Sequence, residues 1–387
     1  MAPSPPSNNA NPLDNLLASA SSLLSQLQSS LNQVAEESKD AKAPPPTPSP
    51  SSPPSPVDNS LDQTRDATKL IRLHGTKISP LVTHAATNPS FPPTKALSAV
   101  VNDLVGGPVP TLVSAAQSCR CGGFALRREL ALLAGRVLAA LEGLLRSVAA
   151  VAGEGGQGAG QEHPSVRATA VLWSACDALV DFSSSAPAGF FVAKARQSED
   201  LLNDVALELR EWGEQEPDDE EEDEDADENT DDADSLSAQS LADSLLSPKP
   251  IPPNDPSDVR PRLTITLRLA RLVALLLGTA HKRRLPDIVP AFRHSPRLDA
   301  LARQLDRLPE RFEDLAASLY AMQPTDIDDT LRLCMHDAEA VADLLADGWD
   351  GLPDRFTGIV DRFRQELKLL EGEASTTVMK PSSPASS

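Results

Sequence analysis

The stretch from Glu214 to Asp234 reads EQEPDDEEEDEDADENTDDAD, with fifteen acidic residues and neither Lys nor Arg. Like charges at this density repel one another, and the segment has almost nothing apolar to bury. It is expected to stay solvated and unfolded, so any core must come from the sequence on either side. Without it, the formal charge of −21 becomes −6. Both flanks carry apolar residues at helical spacing. The chain therefore reads as two helical blocks joined by an acidic tether.

Composition narrows the fold further. Hydrophobic residues make up 40% of the 387, but aromatics only 3%. Cores built from Leu, Val and Ala favour close helix packing over a β-sandwich, whose strands want β-branched and aromatic residues. The expected class is all-α, with two antiparallel helical bundles, a disordered acidic linker and disordered tails. Residues 1–57 read as a disordered arm carrying one amphipathic helix, from Pro12 to about Ser38, which either docks on the bundle or meets a partner. The first bundle is expected over 58–213, the acidic and Pro-rich linker over 214–257, the second bundle over 258–372 and a tail over 373–387.

In the first bundle, one helix face is marked by Ala67, Leu70, Ile71, His74 and Ile78, with Pro80 expected to kink it or open a new turn. Val166, Ala170, Trp173, Cys176 and Val180 mark another, and the last helix of the block is expected to end near Trp212. In the second bundle, Leu263–Leu277 is apolar on most sides, which suits a central helix. Arg268 and Arg271 interrupt that run, so it is not expected to span a membrane. Leu298, Leu301, Leu305, Leu308, Phe312, Leu315 and Leu319 keep heptad spacing. Pro309 falls inside this stripe, and a break is expected at Leu308. A last helix is expected to carry Leu352, Phe356, Ile359 and Val360.

The pI near 4.7 argues against direct nucleic-acid binding, which needs a positive field to displace counterions. The four cysteines, Cys119, Cys121, Cys176 and Cys334, show no disulfide framework, which suits a reducing compartment. Cys119 and Cys121 lack the further ligands zinc requires. The six histidines sit at no triad or metal spacing. Asp326, Asp328 and Asp329 lack the Gly and Glu of a calcium loop and read instead as a helix N-terminus. Gly153–Gly160 lacks the Lys-Ser or Lys-Thr of a phosphate loop. Lys282-Arg283-Arg284 reads as a helix end favoured by the dipole rather than an import patch. Ser-Pro and Thr-Pro steps at Thr47, Ser49, Ser52, Ser55, Ser247, Ser295 and Ser383 are open to phosphorylation or are simple low complexity. No catalytic residue, cofactor or metal site is expected, and the chain reads as non-enzymatic.

Three stretches carry a resemblance. Arg65-Asp66-Ala67-Thr68-Lys69-Leu70, Trp173-Ser174-Ala175-Cys176 and Phe312-Glu313-Asp314-Leu315-Ala316-Ala317-Ser318-Leu319-Tyr320 resemble segments of the cyclin-D-binding protein family. The acidic insert matches in position. The resemblance implies two packed helical bundles and a binding-based role in restraining the cell cycle, in cytoplasm and nucleus. It implies a protein partner, a cyclin or a helix-loop-helix regulator. The acidic run, with Glu220, Glu221, Glu222, Asp223, Glu224 and Asp225 at its centre, is expected to steer such a partner. Leu315 and Leu319, in the closest-matching stretch, are the other candidate partner-binding residues. Charge alone leaves open an acidic histone-binding protein, and bundle style alone leaves open an adhesion- or cytoskeleton-type adaptor. Oligomeric state is not legible.

Overall fold

A computed structural model of the chain describes residues 12–40, 59–87, 94–153, 164–215, 248–288 and 296–378. Among these the ordered elements are all helices: α1 (Pro12–Asp40), α2 (Ser60–Thr87), α3 (Thr94–Gly106), α4 (Pro108–Ser118), α5 (Gly123–Gly153), α6 (Pro164–Ser185), α7 (Ala188–Glu214), α8 (Val259–Arg283), α9 (Pro296–Tyr320), α10 (Pro324–Ala346) and α11 (Thr357–Val378). The chain divides into two compact units. One holds residues up to Phe190 with Val289–Asp299, and the other holds Phe191–Ile288 with the chain from Ala300 onward.

In the first unit, α5 is the central helix, with Leu126, Leu130, Val137, Leu138, Leu141 and Leu144 fully buried. The amphipathic helix of the N-terminal arm, α1, lies along it and buries Leu17, Leu24 and Leu31. Each such leucine contributes roughly 1.5–3 kcal/mol on burial. The Gln28 amide donates to Glu142 of α5, and the Gln117 amide of α4 donates to Ser30 Oγ. Arg72 pairs with Asp177 and Thr76 with Trp173, so α2 and α6 run antiparallel. At Gly75 an added Cβ would lie 2.5 Å from Leu172 Cδ2, so the missing side chain sets this approach. The start of α5 is closed from far along the chain. The carboxylate of Asp299 accepts from the Phe124 N–H at 2.7 Å and the Ala125 N–H at 3.4 Å, satisfying helix-end donors. Gly123, at φ +84°, makes room for that carboxylate.

The second unit contains α7, which sequence periodicity assigns to the first block. Its Phe191, Ala195, Leu202, Leu209 and Trp212 are buried. Gly213 of α7 sits against Leu263 of α8, and Gly278 of α8 against Glu199 of α7, so these two helices run antiparallel. The division between compact units thus falls at Phe190/Phe191 rather than at the acidic run. The reason is packing: α7 carries its apolar stripe into the second core.

This changes the meaning of the acidic segment. The Trp212 indole N–H donates to the Lys249 carbonyl at 3.0 Å, and Arg260 reaches both the Gly213 and Ile251 carbonyls. The chain on either side of residues 216–247 therefore meets at one place. The described residues on both sides of the segment thus belong to the second unit, so it does not connect one unit to the other. Residues 216–247 themselves, including Glu220–Asp225 and the Leu236–Leu246 motif, lie outside the described residues, as do 1–11, 41–58 and 379–387.

Three helices bear on the sequence reading. α9 runs unbroken through Pro309. Proline deprives the Leu305 carbonyl of its usual donor four residues on. Ser198 Oγ of α7 donates to that carbonyl at 2.6 Å and replaces the lost bond. Likewise α2 continues through Pro80. The last helix opens at Thr357, leaving Leu352 outside it and 63% exposed.

Candidate partner-binding surface

The charged residues singled out from sequence are mostly occupied inside the second unit. Arg284 is 2% exposed, and its guanidinium donates to both oxygens of Asp354, to the Leu345 and Ala346 carbonyls at the end of α10, and stacks on Phe356 at 4.8 Å. It closes a helix end and is not an exposed import signal. The Arg284 hydrogen bonds, helped by the Phe356 and Thr357 backbone N–H groups, hold the Asp354 carboxyl below the usual range. Asp328, read as part of a helix N-terminus, is held bidentately by buried Arg262 at 2.8 and 2.9 Å. Asp337 is buried between Arg307 and Arg311. His281 meets Glu199 at 2.9 Å.

The cysteines are buried thiols. Cys119 and Cys121 place their sulfurs 3.0 Å apart. Burial, reinforced by nearby Asp177 and Asp337, pushes the Cys176 and Cys334 thiols up to about 12. Such thiols stay protonated at neutral pH and are poor nucleophiles. Among the described residues, no group of three His, Cys, Asp or Glu side chains converges as a metal site would require.

Leu315 and Leu319 are fully buried, together with Leu298, Leu301, Leu305, Leu308 and Phe312. The whole heptad stripe is core. Neither leucine offers a face to a partner, because the second unit uses both for its own packing. Of the residues expected to bind a partner, the acidic six lie outside the described residues, and these two lie inside a core.

Among the described residues, one open surface lies on the first unit, between α2 and α6. Trp173 is 36% exposed, and its indole N–H donates to Thr76 Oγ1 at 3.0 Å. The Arg72 guanidinium lies 5.4 Å from the centre of its ring and is itself held by Asp177 at 3.0 Å. The ring is thus fixed by a hydrogen bond on its edge and a cation on its face. Leu70 and Leu73 on α2 and Val166 on α6 are also exposed. The sequence reading places Leu70, Val166 and Trp173 on inward faces. The true inward stripe of α6 is Ser165, Thr169, Leu172, Cys176, Leu179 and Ser183, one position away. Thr169 and Ser183 can be buried because their hydroxyls donate to the Ser165 and Leu179 carbonyls of the same helix.

The other side of α6 borders a groove of about 850 Å³ against α5. Ala140, Gly143, Ala168 and Ala175 floor it, and Arg136 and Arg167 stand at its margins. α6 thus presents an aromatic–arginine face toward α2 and a shallow, small-residue groove toward α5.

No curated protein and no solved structure matches the chain. A family model does: residues 63–215 match the one described as Grap2 and cyclin-D-interacting, N-terminal. The match covers α2 to α7 and so includes the Arg65–Leu70 and Trp173–Cys176 stretches, whereas Phe312–Tyr320 lies beyond it. It also spans the Phe190/Phe191 division, so the matched segment supplies all the α2–α6 surface and the first helix of the second unit. Over residues 63–215, then, the chain is similar to the N-terminal domain described as Grap2 and cyclin-D-interacting.

Proposed function

We propose that this protein is a non-enzymatic regulator of cell-cycle progression, acting in nucleus and cytoplasm by binding a cyclin-type or helix-loop-helix-type partner. The family's description supports a cyclin-D-type partner. The observation that carries the location is Trp173, partly exposed yet held by Thr76 and Arg72, on helices that also expose Leu70, Leu73 and Val166. Binding energy in protein interfaces concentrates in Trp, Tyr and Arg side chains set in apolar surroundings. A ring already held in place loses little side-chain freedom on association.

The test is a binding titration of the full chain against D-type cyclins and helix-loop-helix proteins of the same cells. Trp173→Ala is expected to weaken association by about 2 kcal/mol, roughly thirtyfold. Because the ring also bonds α2 through Thr76 and Arg72, the variant's thermal melt is recorded too, and affinity is compared at a temperature where both forms are folded. Unchanged affinity in Trp173→Ala and Arg72→Glu would remove the α2–α6 face from the reading. Failure of both partner classes to bind the parent protein would remove the reading itself.

A further inference from the structure

In the second unit, the antiparallel pair α7 and α8 encloses an open groove of about 590 Å³. Its walls include Leu207 and Arg210 from α7 and Leu267, Arg268 and Arg271 from α8. Leu207 is 49% exposed, and Leu275, one turn beyond Arg271, is 60% exposed. Arg268 is paired with Glu373 of α11. Arg210 and Arg271 have no ion-pair partner among the described residues. Nearby carboxylates on α7 do not line the groove, and Glu208 is engaged by the Tyr320 hydroxyl. A chain with a net charge of −21 thus keeps an apolar, arginine-lined groove on the two helices that flank its most acidic stretch.

We propose that this groove binds acidic peptide and that its occupant is the chain's own acidic segment, residues 216–234. Three observations point there. The charges are complementary: on one side Arg210 and Arg271, without an ion-pair partner among the described residues, and on the other a run in which Glu and Asp predominate and Lys and Arg are absent. The segment begins within two turns of the groove, since Arg210 lies five residues before Gln215. The described residues on either side of it meet where Trp212 of α7 bonds Lys249, on the same unit as the groove. Reach sets no limit: Arg271 lies about 12 Å along α8 from Leu263, the residue beside Gly213, at ~1.5 Å per helical residue. Attachment at both ends gives an effective concentration on the order of millimolar, which makes even weak, screened pairing count.

The consequence is competition. An acidic ligand approaching the groove must displace the segment. The experiment uses the full chain and a form lacking 216–234, each titrated with a fluorescent peptide of residues 214–234 at about 50 and about 300 mM NaCl. The deleted form should bind the peptide about tenfold or more tightly than the full chain. Higher salt should weaken the binding, as expected for charge pairing across about one Debye length. Arg210→Glu with Arg271→Glu in the deleted form should cost about tenfold or more. Should that pair disturb the helical circular dichroism, Arg271→Gln alone, at an exposed position, should still weaken binding about threefold. Equal binding by both forms would mean that the groove stands open to acidic partners, and would overturn the proposal. So would binding indifferent to the arginine substitutions.

Discussion

At Gly75, α2 comes close enough to α6 that one methyl group decides the fit, because Leu172 opposite is fully buried and has nowhere to swing. Gly75→Ala gains about 1 kcal/mol of helix propensity but forces a packed leucine to move, at a cost of about 1–3 kcal/mol. The net expectation is a destabilised protein in urea titrations. Gly135→Ala, on a helix with open space around the added methyl, should instead be stabilising by up to about 1 kcal/mol. Two alanines of equal propensity and opposite sign would place the effect in packing. The Arg284–Asp354 pair supplies a second test. Asp354→Ala takes a carboxylate, itself 46% exposed, from a buried guanidinium that keeps two carbonyl acceptors, and should cost about 1–2 kcal/mol at pH 7. The folded carboxyl is held below its ordinary value, so the contribution is complete above the unfolded aspartate range. It is lost as pH falls through the folded value. The gap between parent and variant in chemical denaturation should therefore be constant near neutrality and narrow only below about pH 4.

Among the elements, α9 shows what can and cannot be read from a sequence. Its stripe of leucines was legible, and so was the penalty of Pro309. The remedy was not, because Ser198 lies 107 residues before the carbonyl it serves. Ser198→Ala should cost about 1–2 kcal/mol by leaving the Leu305 carbonyl buried and unpaired. Pro309→Ala in that background should recover most of it, since the restored N–H bonds within the helix. A thermodynamic cycle over the two sites checks this, and strictly additive effects would contradict it. The extent of α2 to α6 was largely visible from apolar spacing, whereas inward and outward faces were not. Thr64, Thr68, Ser165, Thr169 and Ser183 are buried polar residues, and several satisfy their hydroxyls within their own helix. A reading that ranks faces by apolar residues alone rotates α6 by one position and hides Trp173 inside. The candidate surface could have been found by asking which apolar residues remain once threonine and serine are allowed inward. The assignment of α7 was beyond sequence for a different reason. Its stripe is equally apolar whichever core receives it, and the acidic run looked like a natural border.

For the whole molecule, the two units share the chain unequally. Sequence order would give one unit everything before the acidic run. Instead α7 belongs with the C-terminal helices, and the residues around Asp299 belong with the N-terminal ones. An all-helical protein with two cores was therefore legible, while the allocation of helices was not. Cutting the chain within 216–247 should leave both halves of the second unit associated, because α7 buries its apolar stripe there. Size-exclusion chromatography after site-specific cleavage would show a single peak, and separation of the fragments would contradict the placement of α7. The meeting of Trp212 with Lys249 has one more consequence, for growth and decay of the sequence between them. A segment whose two ends are already fastened costs the fold little when it lengthens: each doubling adds only about 0.6 kcal/mol of closure entropy. Residues can be added there with scant penalty to either core, so the fold itself sets little limit on the length of this stretch.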